Sequence, residues 1–235
     1  MRVLVMRPVP DAARTAARLV ELGHQVLLSP LLSIEPVAID KVPAGPFAAL
    51  AATSANASRI AGAMVELDAL RAVTLYAVGD RTAEVAREAG FAAVVVADGD
   101  AKALAQLLTK RLASGARVLH LAGEERVQEL GALLAQAGMR VEVLVLYRAR
   151  AASELAAEAA AALASGRLDA VLHYSPRSAA AFVALVERQG FVNTAQRVRH
   201  YCLSDVVAAP LAAIGVAASV AKKPNEAELL ALLKR

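Results

Sequence analysis

Short apolar runs alternate along the chain with longer stretches in which apolar residues return every three or four positions. The runs are rich in Val and Leu and cover 2–6, 26–29, 50–53, 75–78, 93–97, 118–121, 141–146, 170–174, 200–203 and 217–220. A short run that is apolar throughout reads as a strand buried on both faces. Between most of the runs lies an amphipathic, Ala-rich stretch long enough for one covering helix. Gly23, Gly90, Gly138 and Gly190 stand just ahead of the next run, where a left-handed residue closes a helix. The pattern predicts an α/β protein built on doubly wound parallel sheets.

The chain also repeats itself. RVLVMRPVPDAARTAARLVELGHQVLLSPLLSI, from Arg2, matches RVLHLAGEERVQELGALLAQAGMRVEVLVLYRA, from Arg117. LAATSANASRIAGAM, from Leu50, matches LHYSPRSAAAFVALV, from Leu172. YAVGDRTAEVAREAGFAAVVVADGDAKALAQLL, from Tyr76, matches YCLSDVVAAPLAAIGVAASVAKKPNEAELLALL, from Tyr201. Each set carries the strands of one doubly wound domain, so two similar domains are expected. One cut near Ala116 would separate them. Alternatively the first segment folds with the last two, and the middle of the chain is inserted between. LLSIEPVAI and LVLYRARAA read as two extended crossings, and two crossings favour the second arrangement. It makes 1–33 with 151–235 a discontinuous domain and 38–146 the inserted one, with linker strands at 34–37 and 147–150.

Composition narrows the function. With 57% hydrophobic and 20% charged residues the chain can bury a sizeable core and is not disordered. Aromatics are 3%, with no Trp, so the core is expected to be Ala, Leu and Val. The net charge of +4 suggests an anionic partner. Nucleic acid would call for a basic stripe with stacking aromatics; here arginines are scattered and aromatics scarce. TAEVAREAG, from Thr82, resembles the opening of a helix-turn-helix, but the strand-like AAVVVA follows it. A small polyanion fits better. The lone cysteine, Cys202, sits in HYCLS and reads as a small core residue. The start of the chain has no signal-peptide pattern and no segment is long and apolar enough for a membrane span, so a cytoplasmic protein is expected.

Candidate chemistry lies at the carboxyl ends of the strands, where doubly wound sheets bind ligands. Small polar turns recur there: Thr53-Ser54-Ala55-Asn56, Gly79-Asp80-Arg81-Thr82, Ser175-Pro176-Arg177-Ser178 and Ser204-Asp205, with Arg7-Pro8 after the first strand. A helix starts at each, and its first N–H groups can hold carboxylates or phosphates. The same residues also serve as ordinary N-caps. No GxGxxG follows a strand and no GxxxxGK[ST] or G-x-S-x-G occurs. His24, His120, His173 and His200 lack metal-ligand spacing, so no metal is expected; His120 and His173 read as strand residues packed in the core or at its edge.

In order and spacing, the chain resembles the uroporphyrinogen-III synthase family over essentially its whole length. The resemblance rests on VLVMRP, SPLLSIEPV, ATSANA, AVGDRTAEVAREAGF, HLAGEE, VLVLYRA, DAVLHYSPRSAAAFV and CLSDVVA. It implies two flavodoxin-like domains joined by a two-stranded β-ladder, with a cleft between them. It implies a reaction without cofactor or metal. Hydroxymethylbilane, a linear tetrapyrrole with eight carboxylates, loses water, inverts its last pyrrole through a spiro intermediate and closes to uroporphyrinogen III. It implies that Tyr147, in VLYRA, assists departure of the hydroxyl, and that Thr53, Ser54, Gly79, Thr82, Ser175 and Ser178 line the cleft. Relatives often carry Pro and Arg where Ala55 and Asn56 stand, Gly followed by Thr residues where Ser204, Asp205, Val206 and Val207 stand, and Thr where Met6 stands. Arg177, in the equivalent turn of the other domain, can replace the missing arginine. The alternatives are a non-catalytic protein of the same fold that binds a tetrapyrrole or other polyanion, and a hinged sugar- or amino-acid-binding module. The latter are usually exported and use stacking aromatics. No extended apolar stripe marks a subunit interface, and a monomer is expected.

Overall fold

The structure, a computed structural model, describes residues 1–125 and 128–234. Arg126 and Val127 of the second repeat copy, and Arg235 at the end of the 151–235 range, lie outside the described residues. The elements run β1 (Arg2–Val5), α1 (Asp11–Glu21), β2 (Gln25–Leu28), β3 (Leu32–Pro36), β4 (Ala49–Ala52), α2 (Ala55–Ala63), β5 (Leu75–Ala77), α3 (Asp80–Glu88), β6 (Val94–Val96), α4 (Ala101–Arg111) and β7 (Arg117–Gly123). They continue α5 (Glu129–Gln136), β8 (Arg140–Ala151), α6 (Ala157–Ala164), β9 (Ala170–His173), α7 (Pro176–Arg188), α8 (Val192–Ala195), β10 (Arg199–Cys202), α9 (Asp205–Ala208), β11 (Ala218–Val220) and α10 (Glu226–Ala231), with 3₁₀ turns at Val65–Ala72, Ala209–Ile214 and Leu232–Lys234. No helix among the described residues is long and apolar enough to cross a membrane.

Two compact units result, Met1–Ser33 with Arg150–Arg235, and Ile34–Ala149. The first unit's sheet has the order β2-β1-β9-β10-β11, all parallel. This is the 2-1-3-4-5 order of flavodoxin-like folds. The second sheet runs β8-β7-β4-β5-β6, again parallel, with β3 added outside β8. Matching strands through the sequence repeat pairs β1 with β7, β2 with β8, β9 with β4, β10 with β5 and β11 with β6. Both sheets thus have one order, and in the second unit the chain enters at the third strand instead of the first.

Register sharpens the repeat. Val3 lies beside Ala170, and its counterpart Val118 lies beside Ala49. Ala49 therefore corresponds to Ala170, Thr53 to Tyr174 and Ser54 to Ser175. The sequence match from Leu50 to Leu172 is one residue out of step, and a one-residue slip moves every side chain to the opposite face of the sheet.

The loops that end α1 and α5 show why the repeat keeps its glycine. Gly23 and Gly138 have φ of 79° and 77°. His24 N donates to Leu19 O at 2.9 Å and Met139 N to Leu134 O at 3.0 Å, which closes each last turn in the same way. The linker stretches differ from the sequence expectation in form. The expected strand 141–146 and the expected crossing 147–150 are one strand, β8, and β3 pairs along it, with Val37 N donating to Leu146 O at 3.0 Å.

Each sheet has an apolar cluster on either face. Leu4 and Met6 join Phe182 and Leu211 on one face of the first sheet, while Val3 and Val5 join Leu19 and Leu229 on the other. Cys202 is a fully buried core residue, and burial pushes its thiol up to about 12.

The first core also holds a buried imidazole pair. His173 Nε2 lies 2.9 Å from His200 Nδ1, and His200 Nε2 lies 2.9 Å from Ala195 O. A carbonyl only accepts, so His200 carries its proton on Nε2 and His173 donates from its own Nε2. His173 Nδ1 is then a buried acceptor with no partner among the described residues. Burial, and for His173 also the neighbouring His200, hold both imidazoles below the ordinary value of 6.5. The unfolded chain therefore binds protons near pH 6.5 that the folded chain refuses. Stability from the pair is fully present above that pH and is lost as pH falls below it. The expected slope is up to ~1.4 kcal/mol per pH unit for each proton. Urea midpoints measured between pH 7 and pH 5 check this, and equal midpoints would contradict it.

Candidate active site

The switch point of a 2-1-3-4-5 sheet lies between its first and third strands. Here that means between β1 and β9 in the first unit and between β7 and β4 in the second. The sequence-selected residues gather at or near the carboxyl ends of these strands and of β5, β8 and β10.

In the second unit Ser54 caps α2, its Oγ accepting from Asn56 N at 3.2 Å. The Asn56 side chain is turned back on the helix and accepts from Arg59 Nη1 at 2.7 Å. Thr53 Oγ1 lies 3.1 Å from Nε2 of the buried His120, on the neighbouring strand β7. Gly79 caps α3 in extended conformation and Thr82 is buried in that helix's first turn.

Tyr147 lies where β8 passes the end of β7. Its Cα partner is Gly123, across a register shift at Ala122 and Gly123, and its carbonyl accepts from Glu124 N at 2.7 Å. The ring lies directly on Gly123, where a Cβ would fall 2.7 Å from Cζ and 3.0 Å from Oη. Tyr147 is 9% exposed, and no described residue hydrogen-bonds its hydroxyl.

In the first unit Ser175 caps α7. Its Oγ accepts from Ser178 N at 3.2 Å and donates to Ser178 Oγ at 3.0 Å. Pro176 occupies the first turn, where a missing N–H costs nothing, and Arg177 is half-buried beside it. Ser204 precedes α9 without a side-chain capping bond.

Arg7 has a filled role already. Nη1 donates to Glu226 Oε1 at 2.8 Å and to Thr15 Oγ1 at 3.1 Å, and the guanidinium stacks 4.0 Å over the Tyr174 ring. Thr15 and Tyr174 donate to the same Glu226 oxygen at 2.6 and 3.0 Å, and Arg18 reaches Oε2 at 2.6 Å. Burial alone would raise the Glu226 carboxyl, but the Thr15 bond and the Arg7 charge outweigh it and hold it below its ordinary value. Burial, and then the Glu226 charge, push the Tyr174 hydroxyl up.

The sequence did not select Gly123, His120, Tyr174 or Glu226. A glycine inside a strand was the available signal for the first, since it marks close approach.

The family model described as uroporphyrinogen-III synthase HemD matches residues 13–231, nearly the whole chain. The chain belongs to the uroporphyrinogen-III synthase family. Its function is that of the family, an enzyme of heme biosynthesis. The fold is similar to a mutant uroporphyrinogen III synthase of Thermus thermophilus, at 22% identity, 100% coverage of this chain, 98% of that one, and a TM-score of 0.62. It is likewise similar to the uroporphyrinogen-III synthetase of Helicobacter pylori 26695, at 20% identity, 99% and 97% coverage, and a TM-score of 0.65. No curated protein matches the chain. The helix N-termini at the strand carboxyl ends present N–H groups and hydroxyls of the kind that can hold anions.

Proposed function

We propose that this synthase closes hydroxymethylbilane by dehydration, with Tyr147 assisting the departing hydroxyl. The observation that carries the proposal is the Tyr147 phenol: buried as a ring, seated on Gly123, and with a hydroxyl that no described residue claims. A phenol so placed can donate to the leaving oxygen as the carbon–oxygen bond breaks, and water departs. The cation left behind bonds to the substituted α-carbon of the last pyrrole. In this spiro intermediate the original bridge bond to that carbon breaks, and the bridge cation so released bonds to the pyrrole's free α-carbon. The proton lost from that carbon replaces the one the phenol gave up as the ring closes. Thr53, Ser54, Asn56, Gly79 and Thr82 in the second unit, and Ser175, Pro176, Arg177, Ser178 and Ser204 in the first, would hold the substrate's carboxylates. Arg7 would do so only by sharing its Glu226 contact. Catalysis is then mostly positioning, since closure must beat the spontaneous route that leaves the last ring uninverted. The same reading makes the protein a lyase, monomeric and cytoplasmic, acting on a linear tetrapyrrole and not on nucleic acid.

Product type tests it. Purified protein is mixed with freshly made hydroxymethylbilane and the oxidised uroporphyrin isomers are separated. Isomer III should dominate, and Tyr147→Phe should lower kcat roughly 10- to 100-fold with KM little changed. Isomer I alone, from folded protein, would leave the binding-protein alternative. A Tyr147→Phe enzyme with full kcat would remove the tyrosine from the chemistry.

A further inference from the structure

We propose that His120 is a positioning residue that aims the Thr53 hydroxyl at a substrate carboxylate. The inference rests on the reading of Thr53 as a substrate-binding residue.

Three observations converge. His120 is 2% exposed, on β7, the strand beside β4 at the second unit's switch point. Its Nε2 is 3.1 Å from Thr53 Oγ1. The repeat then separates structure from function. Register places Val5 in the first unit where His120 stands in the second, and Tyr174 where Thr53 stands. Val5 is fully buried and packs among Val3, Leu19 and Leu172. The shared architecture accepts an aliphatic side chain at this strand position, so folding does not call for an imidazole there. Burying a ring with two polar nitrogens is costly unless both the ring and its partner are used.

The local chemistry says what the imidazole does. Helix α2 is already capped by Ser54, so the Thr53 hydroxyl is not needed for the cap. A hydroxyl has one hydrogen to give and two lone pairs to receive. The proposed role requires the proton on Nε2: His120 then donates into one Thr53 lone pair, and the hydrogen of Thr53 is left for an outside acceptor. The β-branched side chain has few rotamers, so one bond fixes its direction. The relay is imidazole N–H to hydroxyl to carboxylate, and no proton is transferred.

The test is a double-mutant cycle on the intact enzyme, reading KM and kcat for hydroxymethylbilane. His120→Phe and Thr53→Val should each raise KM about fivefold with kcat nearly unchanged, and the double variant should be no worse than either. Gln carries its amide nitrogen near the Nε2 position and Asn does not, so His120→Gln should restore KM while His120→Asn should behave as His120→Phe. The Gln–Asn contrast decides the matter if the Phe variant folds poorly. Effects that multiply in the double variant, or equal KM for the Gln and Asn variants, overturn the proposal and leave Thr53 as a substrate residue. An unchanged KM in Thr53→Val alone removes the reading of Thr53, and the proposal with it.

Discussion

Alanine at Gly123 is expected to lower kcat/KM for hydroxymethylbilane about a hundredfold, at the upper end of the loss expected for Tyr147→Phe. The reason is steric. The added methyl would lie 2.7 Å from Cζ, 2.8 Å from Cε2 and 3.0 Å from Oη of Tyr147, against the ~3.5 Å or more that carbon atoms keep. The ring must move by about 1 Å, and for a tyrosine in the role proposed above a displacement of that size costs about 10²-fold. Gly123 has no positive φ that would itself resist alanine; the three nearest obstacles are all atoms of Tyr147. Overpacking should also cost about 1–3 kcal/mol of stability. Kinetics with isomer analysis and urea midpoints measure both. The control is Tyr147→Ala: in that background alanine at Gly123 should add almost no further loss of activity or stability. A Gly123→Ala enzyme active within twofold of the parent would show that the ring's seat is irrelevant to the chemistry.

Gly123 also illustrates where sequence reading stops. The central strands were legible because helices cover both of their faces: β4, ALAA, reads as an unbroken apolar run, and β4 and β9 are buried at every position. The closing glycines were legible because a left-handed turn admits little else. The strand β3, LSIEP, shows in the sequence only as an extended crossing, since Leu32 alone is buried and it carries Glu35 and Pro36. The continuity of β8 was hidden by the charges at Arg148 and Arg150. Candidate turns could be located, but not what their side chains touch. Thr53 and His120 are 67 positions apart in the chain and meet across two strands. Nothing local in HLAG says that a tyrosine two dozen residues on will lie over the glycine. The sequence repeat also sets Thr53 against Ser175, where the strand ladder sets it against Tyr174.

The longest reach is that of Glu226, 219 positions from Arg7. Glu226→Ala is expected to destabilise the protein by about 2–3 kcal/mol. Its carboxylate is 11% exposed and Arg7 13%, so the deletion strands a largely buried guanidinium with Asp11, at 3.9 Å, as its remaining counter-charge. Removing one member of a buried pair typically costs about 3–5 kcal/mol. The lower figure follows because Arg14 and Arg18, the other partners, are 29% and 44% exposed and can turn to water. Thr15 and the Tyr174 hydroxyl lose their acceptor as well. Truncating the exposed Arg18 should by contrast cost less than ~1 kcal/mol. The carboxyl is held below its ordinary value, so its contribution is present above the unfolded value near 4.5 and fades as pH falls through the folded one, well below the range in which the His173–His200 pair acts. Urea unfolding at pH 7 measures the loss. The double variant Arg7→Ala, Glu226→Ala should recover part of it, because no uncompensated charge is then left inside. Losses that simply add would mean that the two side chains do not depend on each other, and that Arg7 is free to serve a substrate carboxylate directly.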